Sequence, residues 1–225
     1  MNKDHISDLL SSIGGRAGGP CEAWLIGGAS LVVAGIQEKT KDVDLLFSEE
    51  GSRAAFVERA AGCGFVAIED PAATAAGGST DRSATLLGPE NTIIDCFLRI
   101  TTHFSLTSGM RERSIPFIEF DCGFIRRVIP QDIFVLKSAT GRQSDAFVAQ
   151  EIVRNVALDW RQILEALVEQ EAMGNMRAMY DMGALLTEAG LWGAIPARFA
   201  TELLGHLRVS FERLADAAAV RESRS

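Results

Sequence analysis

Apolar residues in the first part of the chain come in short segments that glycine pairs separate. Ile6, Leu9, Leu10 and Ile13 recur at intervals of three, one and three residues, which predicts one face of a helix. Short runs rich in β-branched and aromatic residues predict strands between further helices. The predicted elements up to residue 68 are helix 4–13, strand 23–26, helix 29–36, strand 42–47, helix 52–61 and strand 65–68.

The middle of the chain contains a predicted loop and two predicted pairs of strands. Residues 71–81 consist largely of Ala, Gly, Ser and Thr, so we expect a loop there that lies near a ligand. The first pair of strands is joined by residues 88–91 and the second by residues 121–123, both of a composition typical of turns. The predicted strands are 83–87 with 92–100 and 115–120 with 124–129.

The last part of the chain has a helical pattern. Strands cease at Pro130, a residue type that favours the first turn of a helix. Beyond it, apolar stripes of helical spacing occur within residues 160–168 and 199–214. The sequence therefore predicts an α/β fold, with a mixed β-sheet and flanking helices in residues 1–129 and an α-helical region in residues 130–225. We expect the functional site in a cleft between the two regions.

Composition and charge exclude several classes of protein. The 225 residues are 47% hydrophobic and 23% charged, as in ordinary globular proteins rather than disordered or fibrous ones. A net charge of −8 argues against a strongly basic DNA-binding protein. No apolar stretch has the length of a membrane span and no secretory signal is visible, so we expect a cytoplasmic protein with no membrane partner. Four cysteines without a CxxC pair and three scattered histidines do not favour a zinc site or disulfides.

Asp42 and Asp44 form a candidate cation site. Their spacing places both carboxylates on one face of a strand, roughly 6–7 Å apart. Two like charges beside an apolar run imply either good solvation at a strand end or a bound divalent cation. Upstream, Gly27 and Gly28 lie at a predicted turn from strand to helix, where glycine lets the backbone approach phosphate oxygens. For the aspartate pair alone, a solvated strand edge is the alternative interpretation.

The two motifs together resemble the signature of the nucleotidyltransferase superfamily related to polymerase beta. Ile26-Gly27-Gly28 is followed by 13 residues and then by Asp42-Val43-Asp44-Leu45. The resemblance implies a third carboxylate on a later strand. Asp95 is the preferred candidate, because an acid within an apolar strand needs a partner or a metal, and Asp121 is the alternative.

This resemblance also implies roles for the residues. Asp42, Asp44 and Asp95 would hold Mg2+, or Mn2+ in its place, and Asp95 would act as a general base if any side chain does. Gly27 and Gly28 would cradle the triphosphate of ATP or another nucleotide. Ser30 would either add a hydroxyl contact to the triphosphate or simply lie in the first helical turn.

A second resemblance covers residues 130–145. They are similar to the helical region of the abortive-infection type nucleotidyltransferase toxins, which implies that Lys137 and Arg142 bind nucleotide. Lys137 lies in an apolar helix, where it extends to solvent or meets a phosphate. Arg142 and Asp145 could equally form a surface ion pair. Val148 stands where relatives often carry a second acid, so this motif is incomplete.

The resemblances imply an enzyme that transfers a nucleoside monophosphate from a nucleoside triphosphate to an acceptor hydroxyl. The acceptor could be RNA such as a tRNA end, a protein or a small molecule. The most specific form of this prediction is a toxin with a cognate antitoxin. One alternative is an antibiotic adenylyltransferase, because cationic antibiotics suit an acidic protein. Another is a catalytically silent domain that binds a nucleotide or a partner protein. A homodimer through the apolar helices also stays open.

Overall fold

The computed structural model describes residues 1–68, 84–98 and 105–222, which form seven strands and nine α-helices. The strands are β1 Cys21–Ile26, β2 Asp42–Phe47, β3 Val66–Ile68, β4 Ala84–Leu87, β5 Ile93–Phe97, β6 Ile115–Phe120 and β7 Gly123–Arg127. The helices are α1 Lys3–Gly14, α2 Gly27–Val33, α3 Glu50–Ala61, α4 Ser108–Arg113, α5 Pro130–Ser138, α6 Gln143–Asn155, α7 Trp160–Ala172, α8 Ala178–Glu188 and α9 Ala197–Glu222.

The α/β fold predicted from the sequence is confirmed. Strands β2 and β6 have the predicted bounds, and the other described strands begin and end within three residues of the predicted ones. Helix α2 begins two residues earlier than predicted, directly at the glycine pair. The predicted loop at residues 71–81 lies outside the described residues. The described chain divides into two compact units, Met1–Ile133 and Phe134–Ser225, each with its own core.

All seven strands belong to one mixed sheet in the first unit. Their order is β3-β4-β5-β2-β1-β7-β6. Strand β2 pairs with β5 and β1 pairs with β7 in parallel, whereas the other four pairings are antiparallel. The three strands that carry the glycine pair and the candidate acids, β1, β2 and β5, are therefore direct neighbours.

Helices α1, α2 and α3 pack on one face of this sheet, which we call the covered face. Alternate residues of β2 and β5 point into the core on this side, because successive side chains of a strand point to opposite faces. Removal of this apolar surface from water stabilises the fold by about 25 cal/mol per Å². The covered-face residues of these two strands, all essentially inaccessible to solvent, are Val43, Leu45, Phe47, Ile94 and Cys96.

A buried arginine holds the segment that leads into β1. Arg59 of α3 donates hydrogen bonds to the carbonyl oxygens of Gly14, Gly18 and Gly19 at 2.9, 3.1 and 3.0 Å. Its guanidinium also lies 5.0 Å from the centre of the Phe120 ring. The bond to Gly14 satisfies a carbonyl oxygen that would otherwise be buried without a partner, whereas Gly18 and Gly19 are exposed. These contacts anchor the segment between α1 and β1.

The second unit is helical. Trp160 at the start of α7 lies between Phe134 and Phe199, with ring centres 5.8 and 4.9 Å away. Both predicted apolar stripes contribute to the core, through Ile163 and Leu167 of α7 and through Phe199 of α9. Within the described part of the chain, no helix combines the length and apolar character needed to cross a membrane.

Candidate functional site

Four side chains form a row across neighbouring strands on the face opposite the covered face. Asp44 is the register partner of Ile26 on β1 and of Asp95 on β5, and Asp95 is in turn the partner of Thr85 on β4. We call Thr85, Asp95, Asp44 and Ile26 the aspartate row. Neighbouring strands are about 4.8 Å apart, so the carboxylates of Asp44 and Asp95 lie side by side. Asp42 lies two residues along β2 on the same face.

The alternation of β2 and β5 produces this arrangement. Val43 and Leu45 enter the core, so Asp42 and Asp44 must point to the other face, where both are half-buried. On β5, Ile94 and Cys96 are buried and Asp95 between them is half-buried on the same side as the other two acids. The three acids that the sequence singled out therefore share one face.

The glycine turn lies against Asp44. Gly27 has a φ of +61°, in the left-handed region that favours glycine. A Cβ at this position would overlap Oδ2 of Asp44 and lie 2.9 Å from its Cγ, so no other residue fits without displacing the carboxylate. Gly28 similarly leaves room for Thr40, whose Oγ1 would be 2.8 Å from an added Cβ. The glycine turn and the aspartate pair are thus in direct contact at Gly27 and Asp44.

Threonine hydroxyls contact two of the acids. Thr85 Oγ1 donates to Oδ1 of Asp95 at 2.6 Å. Thr40 Oγ1 lies 3.1 Å from the backbone oxygen of Asp42 and 3.3 Å from its Oδ1. Sequence reasoning missed both threonines, because threonine is common in strands and its partner depends on the register. The only available signal for Thr85 was its place in a strand predicted to pair with that of Asp95.

The donor set suits a hard cation, since Mg2+ prefers carboxylate oxygens. Asp42, Asp44 and Asp95 lie on one face of two neighbouring strands. However, in the part of the chain that the structure describes, no three His, Cys, Asp or Glu side chains are grouped tightly enough to hold a metal ion together. The types of the donors and their shared face match Mg2+, whereas their side chains as placed do not form one ligand set.

Asp121, the alternative third acid, lies too far from this row. It occupies the exposed turn between β6 and β7. Strand β7 begins at Gly123 opposite Cys21, the first residue of β1, whereas Asp44 is opposite Ile26 at the other end of β1. Five residues of strand span about 16 Å. Asp95 is therefore the acid that the fold brings to Asp44.

Ser30 has a structural contact in place of the predicted contact with a triphosphate. Its side chain is fully buried, and its hydroxyl donates to the carbonyl oxygen of Val128 at 2.6 Å. This bond joins α2 to the segment that follows β7. A triphosphate contact would require the hydroxyl to abandon a buried partner, so we leave Ser30 out of the proposed site.

Lys137, in helix α5, and Arg142, which directly precedes helix α6, both belong to the second unit. Neither residue lies in the sheet. Lys137 Nζ lies 2.8 Å from Oδ1 of Asp145, and Thr140 donates to Oδ2 of the same carboxylate. Asp145 is buried, with 2% of its side chain exposed, whereas Arg142 is exposed at the N-terminus of α6. The alternative prediction of an ion pair between Arg142 and Asp145 is therefore wrong. The cation that pairs with Asp145 is Lys137.

Cysteine chemistry is not supported near the acids. Cys96 follows Asp95 directly but points into the core, and burial raises the pKa of its thiol. Burial also raises the pKa of Cys21 from 9.0 to about 11. A thiol is nucleophilic only as the thiolate, so both residues behave as small apolar side chains at neutral pH.

No family model and no curated protein matches the sequence. Among solved structures, JHP933 from Helicobacter pylori is 10% identical and aligns with 98% of this chain and 95% of its own, at a TM-score of 0.39. A "putative nucleotidyltransferase" from H. pylori is 12% identical and aligns with 96% of this chain and 97% of its own, also at 0.39. These TM-scores are too low to transfer a fold or a function to this chain.

Proposed function

We propose that this protein is a Mg2+-dependent nucleotidyltransferase that moves a nucleoside monophosphate from a nucleoside triphosphate to an acceptor hydroxyl. The hydroxyl oxygen bonds to the α-phosphorus, the bond to the β-phosphate breaks, and pyrophosphate leaves. The observation that supports the proposal most is the placement of Asp44 between Asp95 and the Gly27 turn on three neighbouring strands. Two motifs that are 13 residues apart, and an acid about 50 residues further on, meet at one point of the sheet. An aspartate pair that is merely solvated on a strand does not need a glycine turn and a third acid beside it.

In this proposal each residue has a defined task. Asp42, Asp44 and Asp95 would hold Mg2+, which when bound neutralises charge on the phosphates and lowers the pKa of the acceptor hydroxyl. Asp95 would accept the proton of that hydroxyl at a carboxylate oxygen. Gly27 would let a phosphate oxygen approach the backbone beside Asp44. Catalysis then depends mainly on positioning and on stabilising charge.

The proposal for the acceptor class rests on the net charge of the chain rather than on the candidate site. The net charge of −8 favours a cationic small molecule or a protein over RNA, although a local patch of the chain's arginines could still bind RNA. A toxin that modifies tRNA or protein, and that a cognate antitoxin restrains, stays within the proposal. So does an adenylyltransferase that acts on cationic antibiotics.

Label transfer tests the proposal. The full chain is incubated with each of the four α-32P nucleoside triphosphates, Mg2+ and one acceptor pool, which is cell RNA, cell protein or cationic aminoglycosides. An Asp42→Ala, Asp44→Ala double variant is the control. We expect label in one pool with the wild-type chain alone. Equal label with the double variant, or no label and no Mg2+-dependent nucleotide binding, would refute the proposal.

The second candidate is a catalytically silent domain that binds a nucleotide. Two observations favour it: the acids do not form a closed metal group among the described residues, and Lys137, predicted to bind nucleotide, is paired with Asp145. Saturable binding of a Mg2+–nucleotide complex without transfer to any pool would select this candidate. The label-transfer experiment therefore distinguishes the two functions.

A further inference from the structure

Thr85 is the neighbour of Asp95 on the side away from Asp44. The antiparallel register of β4 and β5 places Thr85 directly opposite Asp95, and its Oγ1 donates to Oδ1 of Asp95 at 2.6 Å. Both side chains are half-buried on the face that carries the acids. A hydroxyl donor to a carboxylate at this distance forms a strong, charge-assisted hydrogen bond.

The contact opposes a repulsion that the fold creates. Asp44 and Asp95 are directly opposite each other on adjacent strands, and like charges in that position repel. Without a partner, Asp95 would gain by rotating away from Asp44. Threonine is β-branched, so its own χ1 is restricted and its hydroxyl holds a defined position. The bond to Oδ1 therefore limits the rotation of the Asp95 carboxylate.

We infer that Thr85 is a positioning residue: its hydroxyl holds Oδ1 of Asp95, so that the other carboxylate oxygen, Oδ2, serves the cation and the acceptor hydroxyl. The inference rests on the proposed function. Thr40 differs, because its hydroxyl lies closer to the backbone oxygen of Asp42 than to the carboxylate. Among the described residues, Thr85 is thus the threonine with the shortest hydrogen bond to one of the three acids.

Two substitutions separate the hydroxyl from the shape of the side chain. Thr85→Val keeps the branched shape and the preference for strands but removes the donor, whereas Thr85→Ser keeps the donor. Thr201→Val is the matched control, because Thr201 donates to the Ala197 carbonyl oxygen within α9 and belongs to no proposed site. All variants are made in the full chain, and thermal unfolding verifies that each is folded.

Binding of Mn2+, a paramagnetic substitute for Mg2+, is measured by electron paramagnetic resonance, and kcat and KM are measured by label transfer. We expect Thr85→Val to weaken Mn2+ binding by about tenfold or more, as is typical when a residue that orients a metal ligand is lost. We expect kcat to fall by a similar factor with the KM for the nucleotide within about twofold of wild type. Thr85→Ser should restore both values to within about threefold, and Thr201→Val should change neither.

The outcomes separate the inference from the proposed function. Wild-type Mn2+ binding by Thr85→Val, or equal loss in Thr85→Ser and Thr85→Val, would overturn the positioning role while the nucleotidyltransferase proposal stands. A wild-type chain that neither binds Mn2+ nor transfers label would overturn both. Reduced Mn2+ binding with rescue by serine supports the inference even where the acceptor has not been identified.

Discussion

The two faces of strands β2 and β5 differ in the side chains that they carry around Asp44 and Asp95. On the covered face, Val43, Leu45, Ile94 and Cys96 are inaccessible to solvent and contact helices α1 to α3 or each other. On the opposite face, the same two strands carry the partly buried acids at positions 42, 44 and 95, together with the buried Leu46 and the partly buried Ile93 and Phe97. Adjacent residues of one strand thus have separate tasks, because the strand period of two sends them to different environments.

Under the proposed function, this contrast places stability on one face of the two strands and chemistry on the other. The apolar face supplies the free energy that keeps the strands together, so the other face can hold like charges that no stable core would accept. A substitution on one face should therefore change the free energy of unfolding, and a substitution on the other should change binding and catalysis. Four predictions test this separation, beginning with the largest expected effect.

The first prediction compares two adjacent residues of β2. Leu45→Ala leaves a cavity in the core and should lower the free energy of unfolding by about 2–5 kcal/mol. Asp44→Ala should change it by less than Leu45→Ala does, because Asp44 is only half-buried and its removal leaves no comparable cavity in the core. Urea unfolding followed by circular dichroism measures both. Equal losses of stability would show that the two faces are not separable.

The second prediction compares two glycines at opposite ends of α2. Gly27 and Gly35 both have positive φ, but only at Gly27 does an added Cβ overlap Asp44; nothing lies within 4 Å of one at Gly35. Gly35→Ala should therefore cost about 1–2 kcal/mol of strain and leave label transfer intact. Gly27→Ala should cost more and lower transfer at least tenfold.

Gly35→Ala is the control for Gly27→Ala, because both substitutions add the same methyl group to a residue with positive φ. Thermal unfolding and label transfer are measured on each variant. Preserved transfer in Gly27→Ala would mean that the glycine turn is needed for the fold alone and would weaken the proposed site.

The third prediction concerns Ser30. Ser30→Ala removes the donor to the Val128 carbonyl oxygen and leaves that oxygen buried without this partner, so we expect a loss of about 1–3 kcal/mol in the free energy of unfolding. The affinity for a nucleoside triphosphate should stay within about twofold, as expected of a residue outside the site. A selective loss of nucleotide affinity with unchanged stability would return Ser30 to the binding site.

The fourth prediction has the smallest effect and uses the cysteines as reporters. Iodoacetamide at pH 8 should label the exposed Cys122 first and label Cys21 and Cys96 only after unfolding, because burial blocks access and raises the pKa of both thiols. Mass spectrometry of the peptides measures the order. Rapid labelling of Cys96 in the folded chain would contradict a closed covered face.

The raised thiol pKa also sets the sign of a pH effect. The folded chain holds the Cys21 proton more tightly than the unfolded chain, so this contribution to stability is complete below pH 9. It is lost as the pH rises from 9.0 toward about 11. The free energy of unfolding should therefore fall over this interval, and Cys21→Ala should make the fall less steep.

The sequence alone determined the elements that carry the site. Alternation within residues 42–47 predicted β2 with its correct bounds and placed Asp42 and Asp44 on one face, since the period of a strand is a local property. An acid within an apolar run likewise identified Asp95, and the glycine pair marked the turn into α2. The α/β class followed from the same local patterns.

The tertiary structure decided which groups meet. The partner of Thr85 depends on the connection between β4 and β5, where Glu90 and Asn91 adopt left-handed φ values of 55° and 59° and Leu87 pairs with Ile93. A shift of this register by one residue would place Thr85 opposite Ile94 or Cys96 instead. The bond between Ser30 and Val128 spans 98 residues of sequence, and the pairing of Lys137 with Asp145 depends on how two helices pack. Local propensity determines strands and faces, whereas register and long-range packing determine which polar atoms find a partner.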